Sequence, residues 1–379
     1  MRYLTEWIEN DLKKKMVFLS GPRQCGKTTL AKQILQEQKS GLYLNWDDSD
    51  HRKRILHRDW SDDQWLIVLD EIHKYPKWKS WLKGLYDTTQ EKHCYLITGS
   101  ARLDIYRRGG DSMLGRYHPW ALHPFCLAEK PESMDVATCF QRLLELGGFP
   151  EPFLSGDPIL AKRWRRERRD LVLREDIRDL ERIREITLLS LLVDQLATRV
   201  GGPVVVSNIA EDLQVAPKTV KHWIEILARM YLVFSVTPYT KSLPRAIQKP
   251  PKVYFYDNSE VTSDDPGARF ENLIATHLLK RLDFLKDSQG DRYELNYVRD
   301  KEGHEVDFVI LKERKPICLI EAKWSDPSPS SSLTYFGEKL DVQNRIQLVG
   351  NLKQPLQKKG VRVVNAAEWL SQPLDSILF

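Results

Sequence analysis

Four short apolar runs recur early in the chain: MVFL from Met16, LYLN from Leu42, WLIVLD from Trp65 and CYLIT from Cys94. Each is nearly continuous in apolar character, as expected of strands buried on both faces. Stretches with helical spacing, such as TTLAKQIL, lie between them. Strand–helix alternation of this kind predicts a parallel sheet covered by helices. The turn-forming segments HPWALHPF and AEKPES close the section.

From Ile159 to about Ala197 the pattern becomes helical. Arginines and acids there stand at spacings that make i,i+4 ion pairs on a solvated face. Lys162, Arg163, Arg165, Arg166, Arg168 and Arg169 are also dense enough to meet nucleic-acid phosphates. Further on, Ile209, Leu213, Val215, Val220, Ile224 and Leu227 fit helix–turn–helix spacing. Ser207 and Pro217 occupy expected helix starts. The runs YLVFSV and KVYFYD supply a strand pair for a wing. Such a module either reads DNA or packs against protein. A helix, ARFENLIATHLLKRL, and several strands follow. The expected domains are 1–155, 156–256 and 257–379.

Composition narrows the class. The chain has 379 residues, 41% apolar and 29% charged, enough for two or three domains. A formal charge of +5 permits a nucleic-acid partner without requiring one. The five cysteines are scattered without a CxxC pair, which argues against a disulfide framework or a zinc site. The N-terminus lacks an apolar signal core. No apolar run approaches the ~20 residues that span a bilayer. A cytoplasmic protein with no membrane partner is expected.

The first candidate chemistry is FLSGPRQCGKTTL. Gly21, Pro22, Arg23, Gln24, Cys25, Gly26, Lys27, Thr28 and Thr29 follow a strand and open a helix, the setting a phosphate loop requires. Backbone N–H groups at the helix start point at phosphate oxygens, and the glycines let the backbone wrap them. Lys27 suits the β- and γ-phosphates of ATP, and the Thr28 hydroxyl suits Mg²⁺. Asp70 and Glu71 emerge at the end of a buried strand: Asp70 for the Mg²⁺ shell, Glu71 to polarise the attacking water. Thr98, Gly99 and Ser100 end the next strand, where a polar group senses the γ-phosphate or simply makes a turn. Arg116, with Arg107 and Arg108 as alternatives, is the candidate charge-stabilising arginine. If that arginine acts between chains it needs a neighbouring subunit, so the oligomeric state stays open.

The second is HEVDFVILKERKPICLIEAKW, from His304 to Trp324, which reads as a hairpin. Residues i and i+2 of a strand share a face. Val306, Phe308 and Ile310 therefore oppose Asp307, and Cys318, Ile320 and Ala322 oppose Glu321 and Lys323. A turn near Arg314 sets Asp307 roughly opposite Glu321. Carboxylates that close need a cation or a proton between them, and Mg²⁺ suits such oxygen ligands. Glu271 adds a third carboxylate, and Lys323 orients a water or offsets phosphate charge.

The phosphate-loop residues resemble the AAA-type branch of P-loop ATPases. GPRQCGKTTL, LDEIHK, TGS, GRY, HPF and GGFPEPFL, in that order, resemble a bacterial and archaeal family of ATPases over nearly the whole chain. That resemblance implies an AAA-type parallel-sheet core, then a helical and winged-helix domain, then an α/β restriction-endonuclease-like domain. It implies ATP as ligand. The set Glu271, Asp307, Glu321-x-Lys323 resembles the PD-(D/E)XK nuclease signature, with Val306 standing where the pattern has proline. That second resemblance implies DNA as partner. It leaves two readings: Mg²⁺-dependent cleavage, or a nuclease-like scaffold that holds DNA or protein inside a nucleotide-dependent switch.

Overall fold

The computed structural model describes residues 2–99, 113–176, 186–240, 249–262 and 265–376. The chain forms two compact units, Met1–His123 and Pro124–Phe379. The first boundary thus falls at His123, not at 155.

The first unit holds α1 (Thr5–Leu12), β1 (Met16–Ser20), α2 (Lys27–Gln36), β2 (Gly41–Asn45), α3 (Ser49–His57), β3 (Leu66–Asp70), α4 (Trp78–Thr89), β4 (Cys94–Thr98) and β5 (Tyr117–Ala121). The sheet order is β2-β3-β4-β1-β5, and every pairing is parallel. The four strands expected from apolar runs are all present. All five residues of β1 and of β3 are buried, which is why their sequences read as continuous apolar runs. Strand β5 was not expected, because Pro119 and His118 read as breakers. It lies at the sheet edge, where proline's missing N–H costs no ladder hydrogen bond.

Because the strands are parallel, their C-terminal ends share one edge. Leu19 and Asp70 both pair with Thr98, and Asn45 pairs with Asp70. Ligands of open α/β sheets bind at that edge.

The second unit begins with α5 (Val136–Leu146), α6 (Pro150–Ser155), α7 (Pro158–Leu171), a π-helical turn (Val172–Asp176), α8 (Ile186–Ala197), α9 (Val206–Asp212) and α10 (Pro217–Arg229). Then come β6 (Val233–Pro238), β7 (Lys252–Phe255), α11 (Pro266–Gln289), β8 (Tyr293–Arg299), β9 (Glu305–Lys312), β10 (Lys315–Lys323), α12 (Ser331–Lys339), β11 (Asn344–Val349), β12 (Leu356–Lys358), β13 (Val361–Asn365) and α13 (Ala366–Leu370). The sheet order is β12-β13-β11-β10-β9-β8-β6-β7. Strand β6 pairs with β8 through Thr237–Asn296 and Pro238–Tyr297. A boundary at 256 would therefore separate strands of one sheet.

Pro217 opens α10 as expected. Ser207 does not cap α9; Val205 stands at the cap position and Ser207 lies inside the first turn. The basic run on α7 divides by burial. Arg168 is 1% exposed, lies 3.9 Å from the centre of the Phe149 ring and donates to the Tyr231 carbonyl. Arg165 donates to the Ser259 carbonyl, and Arg169 pairs with Asp194 at 2.7 Å. Lys162, Arg163 and Arg166 remain exposed. The run is thus part core and part surface, which spacing alone did not separate.

Candidate functional site

The loop from Gly21 to Gly26 leaves β1 and enters α2. Its shape depends on left-handed backbone: φ is +145° at Gly21, +61° at Gln24 and +95° at Gly26. A side chain at Gly21 would meet the Leu122 carbonyl oxygen, so both φ and space require glycine. Cys25 is buried, with its thiol 3.4 Å from the same carbonyl. Pro22 is buried and Arg23 half-buried, whereas Gln24 and Thr29 are exposed. The Lys27 ammonium donates to the carbonyls of Gly21 (3.0 Å) and Pro22 (2.6 Å). The loop thus folds around its own cation.

Asp70 is 3% exposed and accepts from three hydroxyls. Thr28 Oγ1 donates to Oδ2 at 2.8 Å, Tyr43 to the same oxygen at 2.7 Å, and Thr98 to Oδ1. The strand register decides this, since Asp70 and Thr98 are directly paired across β3 and β4. Tyr43 was not foreseen; its period-2 position on β2 is the only trace it leaves in the sequence. Burial, then the hydrogen bond to Asp70, holds the Tyr43 phenol well above its usual range. A hydroxyl beside a buried carboxylate is the donor set that suits Mg²⁺ on a nucleotide.

Glu71 follows in left-handed backbone, φ +58°. Non-glycine residues rarely adopt it, and the strain is of order 1–3 kcal/mol. Burial raises its pKa, while Lys74, 3.6 Å away, pulls it down. His73 Nε2 lies 3.4 Å from the same carboxylate.

Arg116 does not join this group. It precedes β5, whose start pairs with the start of β1, so it lies at the sheet end opposite the phosphate loop. Its guanidinium donates to Asp87 at 2.6 and 3.0 Å. Ser100, Arg107 and Arg108 lie outside the described residues.

In the second unit, β9 and β10 are antiparallel, with Ile320 opposite Phe308. Continued by one residue, that register sets Glu321 against Asp307, but only because it shifts between Pro316 and Cys318; the turn pairing of Lys312 with Lys315 alone would put Ile320 there. Glu271 approaches from α11. The cation among them is a residue the sequence did not single out: Lys252, on β7. Its side chain is fully buried, and Nζ lies 2.8 Å from Glu305, 3.1 Å from Glu271 and 3.1 Å from Asp307. The Tyr254 hydroxyl also donates to Glu271 at 2.6 Å, and the Ala322 N–H to Asp307 at 3.0 Å. Gly201, at φ +87°, leaves no room for a side chain beside Glu271.

Lys323 pairs with Glu321 at 2.9 Å. The other Glu321 oxygen is buried without a hydrogen bond. Burial, then the nearby Asp307 charge, pushes the Glu321 carboxyl up to about 8. The same two causes push Glu271 up to about 7 against the pull of Lys252. Burial alone would lower the Lys252 pKa, but three carboxylates outweigh it and raise it.

The expected metal set of Glu271, Asp307 and Glu321 does not fit a divalent ion in this arrangement. Mg²⁺ needs oxygens at ~2.1 Å in octahedral array, and an ammonium already stands between two of the three acids. Among the described residues, no group of three His, Cys, Asp or Glu side chains could hold a metal. Lys252 lacks a sequence signal because KVYFYD reads as an ordinary strand. No helix among the described residues is long and apolar enough to cross a membrane.

Three family models match the chain: an AAA domain over residues 13–130, and two domains of unknown function, DUF8612 over 138–262 and DUF4143 over 266–369. Similar proteins include the uncharacterized protein Rv2008c of Mycobacterium tuberculosis, 26% identical over 84% of this chain and 72% of that protein. The uncharacterized protein MJ1544 of Methanocaldococcus jannaschii is 23% identical over 83% of this chain and 77% of its own length. Among solved structures, a Walker-type ATPase of Pyrococcus abyssi is 15% identical, with TM-score 0.43, covering 68% of this chain and 93% of that one. The Orc1 protein of Aeropyrum pernix in complex with DNA is 17% identical, with TM-score 0.32, covering 74% and 92%. With TM-scores below 0.5, these likenesses carry no functional weight. Residues 13–130 are an AAA-type P-loop domain, and matches to two domains of unknown function follow it.

Proposed function

We propose that this protein binds ATP with Mg²⁺ in its first unit and hydrolyses it. The observation that carries the reading is the convergence of Lys27, Thr28, Asp70, Glu71 and Thr98 at one end of the parallel sheet. Lys27 and the N–H groups at the start of α2 bind the phosphates. Thr28 and Asp70 would hold a Mg²⁺ ion, which would offset the negative charge of the phosphates. Glu71 takes the proton of the attacking water; a carboxylate raised by burial is a better base near neutral pH. Thr98 keeps Asp70 oriented. Replacing Lys27 with alanine tests this: phosphate release from ATP should vanish while the circular dichroism spectrum is unchanged. Unaltered turnover would defeat the assignment.

The second unit engages DNA. Helices α9 and α10 with the β6–β7 pair support a winged-helix reading, and α10 exposes Lys218, Lys221 and Arg229. Such cations suit phosphate contacts whose strength falls with salt. The β8–β9–β10 meander followed by parallel β11 supports a nuclease-like reading of the last segment. Of the two roles for that segment, holding is favoured over cutting, because Lys252 already balances the acids. Supercoiled plasmid incubated with Mg²⁺ or Mn²⁺, with and without ATP, separates them. Retarded but un-nicked plasmid is expected from both the wild type and Asp307→Asn. Nicking that the substitution abolishes would establish cleavage instead.

A further inference from the structure

We propose that Lys252 is the resident cation of the C-terminal acid cluster, standing where a divalent metal would otherwise bind between Glu271 and Asp307. The inference deepens the holding role argued above, yet it concerns metal occupancy and stands apart from any reaction on DNA.

The geometry is that of a built site. The Lys252 side chain has no solvent exposure, and its ammonium has three carboxylate neighbours at 2.8–3.1 Å from two elements: Glu271 on α11, and Glu305 and Asp307 on β9. An ammonium has three protons to donate, and the three acceptors use all of them. The second oxygens of Glu305 and Asp307 are also engaged. Glu305 Oε2 meets Arg299 at 3.2 Å, and Asp307 Oδ2 accepts from the Ala322 N–H. The Tyr297 ring stands 5.6 Å from the ammonium and Tyr254 donates to Glu271, closing the site on its apolar side.

Two physical consequences follow. A divalent ion entering between Glu271 and Asp307 would meet a buried positive charge that has no route to solvent, since Lys252 sits on a fully buried strand. Conversely, the acids cannot lose the ammonium without leaving like charges buried together. The cation is also covalently part of the β6–β7 pair, so it ties that pair to α11 and β9. A metal would bind the acids but would tie nothing from β7.

Mn²⁺ binding to the full-length chain, read by the loss of the free-ion electron paramagnetic resonance signal, decides the matter. Asp70→Asn is the background throughout, to silence the nucleotide site. In that background the chain should take up no Mn²⁺ at the acid cluster, and adding Asp307→Asn should change nothing. Adding Lys252→Met should create one Mn²⁺ site, binding at least about tenfold more tightly than any residual uptake by the background chain, that Asp307→Asn removes again. A Mn²⁺ ion already bound with Lys252 intact and lost on Asp307→Asn would overturn the proposal. So would a folded Lys252→Met chain that gains no site. The first comparison leaves Lys252 in place, so it decides even if the methionine variant fails to fold.

Discussion

The Thr28 hydroxyl donates to Asp70 at 2.8 Å, joining the first turn of α2 to the end of β3. The two residues are far apart in sequence, and the contact exists only because β4 lies between β1 and β3 and brings Thr98 to the other side of the same carboxylate. Under the proposed ATP reading, these side chains are in place before nucleotide arrives, which lowers the reorganisation needed at the reaction.

Glu71→Gln removes the proposed base and keeps the shape. ATP binding, measured by calorimetry, should persist within a few-fold. Turnover should fall by about 10²-fold or more. Equal losses of binding and turnover would show that Glu71 serves the loop and not the water.

Arg116→Ala should behave like Asp87→Ala. The pair is partly exposed, so each change should leave the urea unfolding midpoint nearly unchanged. Steady-state turnover of both should stay within about twofold of wild type, because Arg116 lies at the sheet end opposite the phosphate loop. A collapse of turnover in the arginine variant alone, growing with protein concentration, would reveal an arginine acting on a neighbouring chain.

Arg168→Ala should destabilise the second unit by ~3–5 kcal/mol, because it leaves the buried Asp257 without its strongest opposing charge. Lys162, Arg163 and Arg166 changed together to alanine should cost little stability and weaken DNA retention, with a shallower salt dependence. Melting curves and filter binding separate the two classes. Similar stability losses in both would mean the exposed set is structural too.

The raised carboxyls give a pH signature. Glu321, up to about 8, and Glu271, up to about 7, hold protons in the folded chain that the unfolded chain has released from about 4.5 upward. Their stabilising contribution is complete at the acid end and is lost as pH climbs to about 8. Glu321→Gln should therefore melt increasingly above wild type as pH goes from 5 to about 8, by a few degrees. A difference in melting temperature that is flat across this range would show that Glu321 is ionised throughout.

The sequence determined the local elements whose physics is local. Continuous apolar runs at Met16, Leu66 and Cys94 became buried strands, because a parallel strand hides both faces. Glycines at 21 and 26 became the phosphate loop, because only they accept its backbone. Alternation along β9 and β10 put Asp307, and Glu321 with Lys323, off the faces of their apolar neighbours, because side chains along a strand have a period of two; the register between the strands is decided by a shift at Pro316–Cys318 that spacing does not announce. Tertiary structure decided which charges meet. Tyr43 reaches Asp70 only through the order of strands, Arg116 is placed away from the phosphate loop by the direction of β5, and Lys252 enters the acid cluster from a strand distant in the chain. Electrostatic partners are chosen by distance in space and by the cost of burying a lone charge, and neither quantity is written in residue spacing.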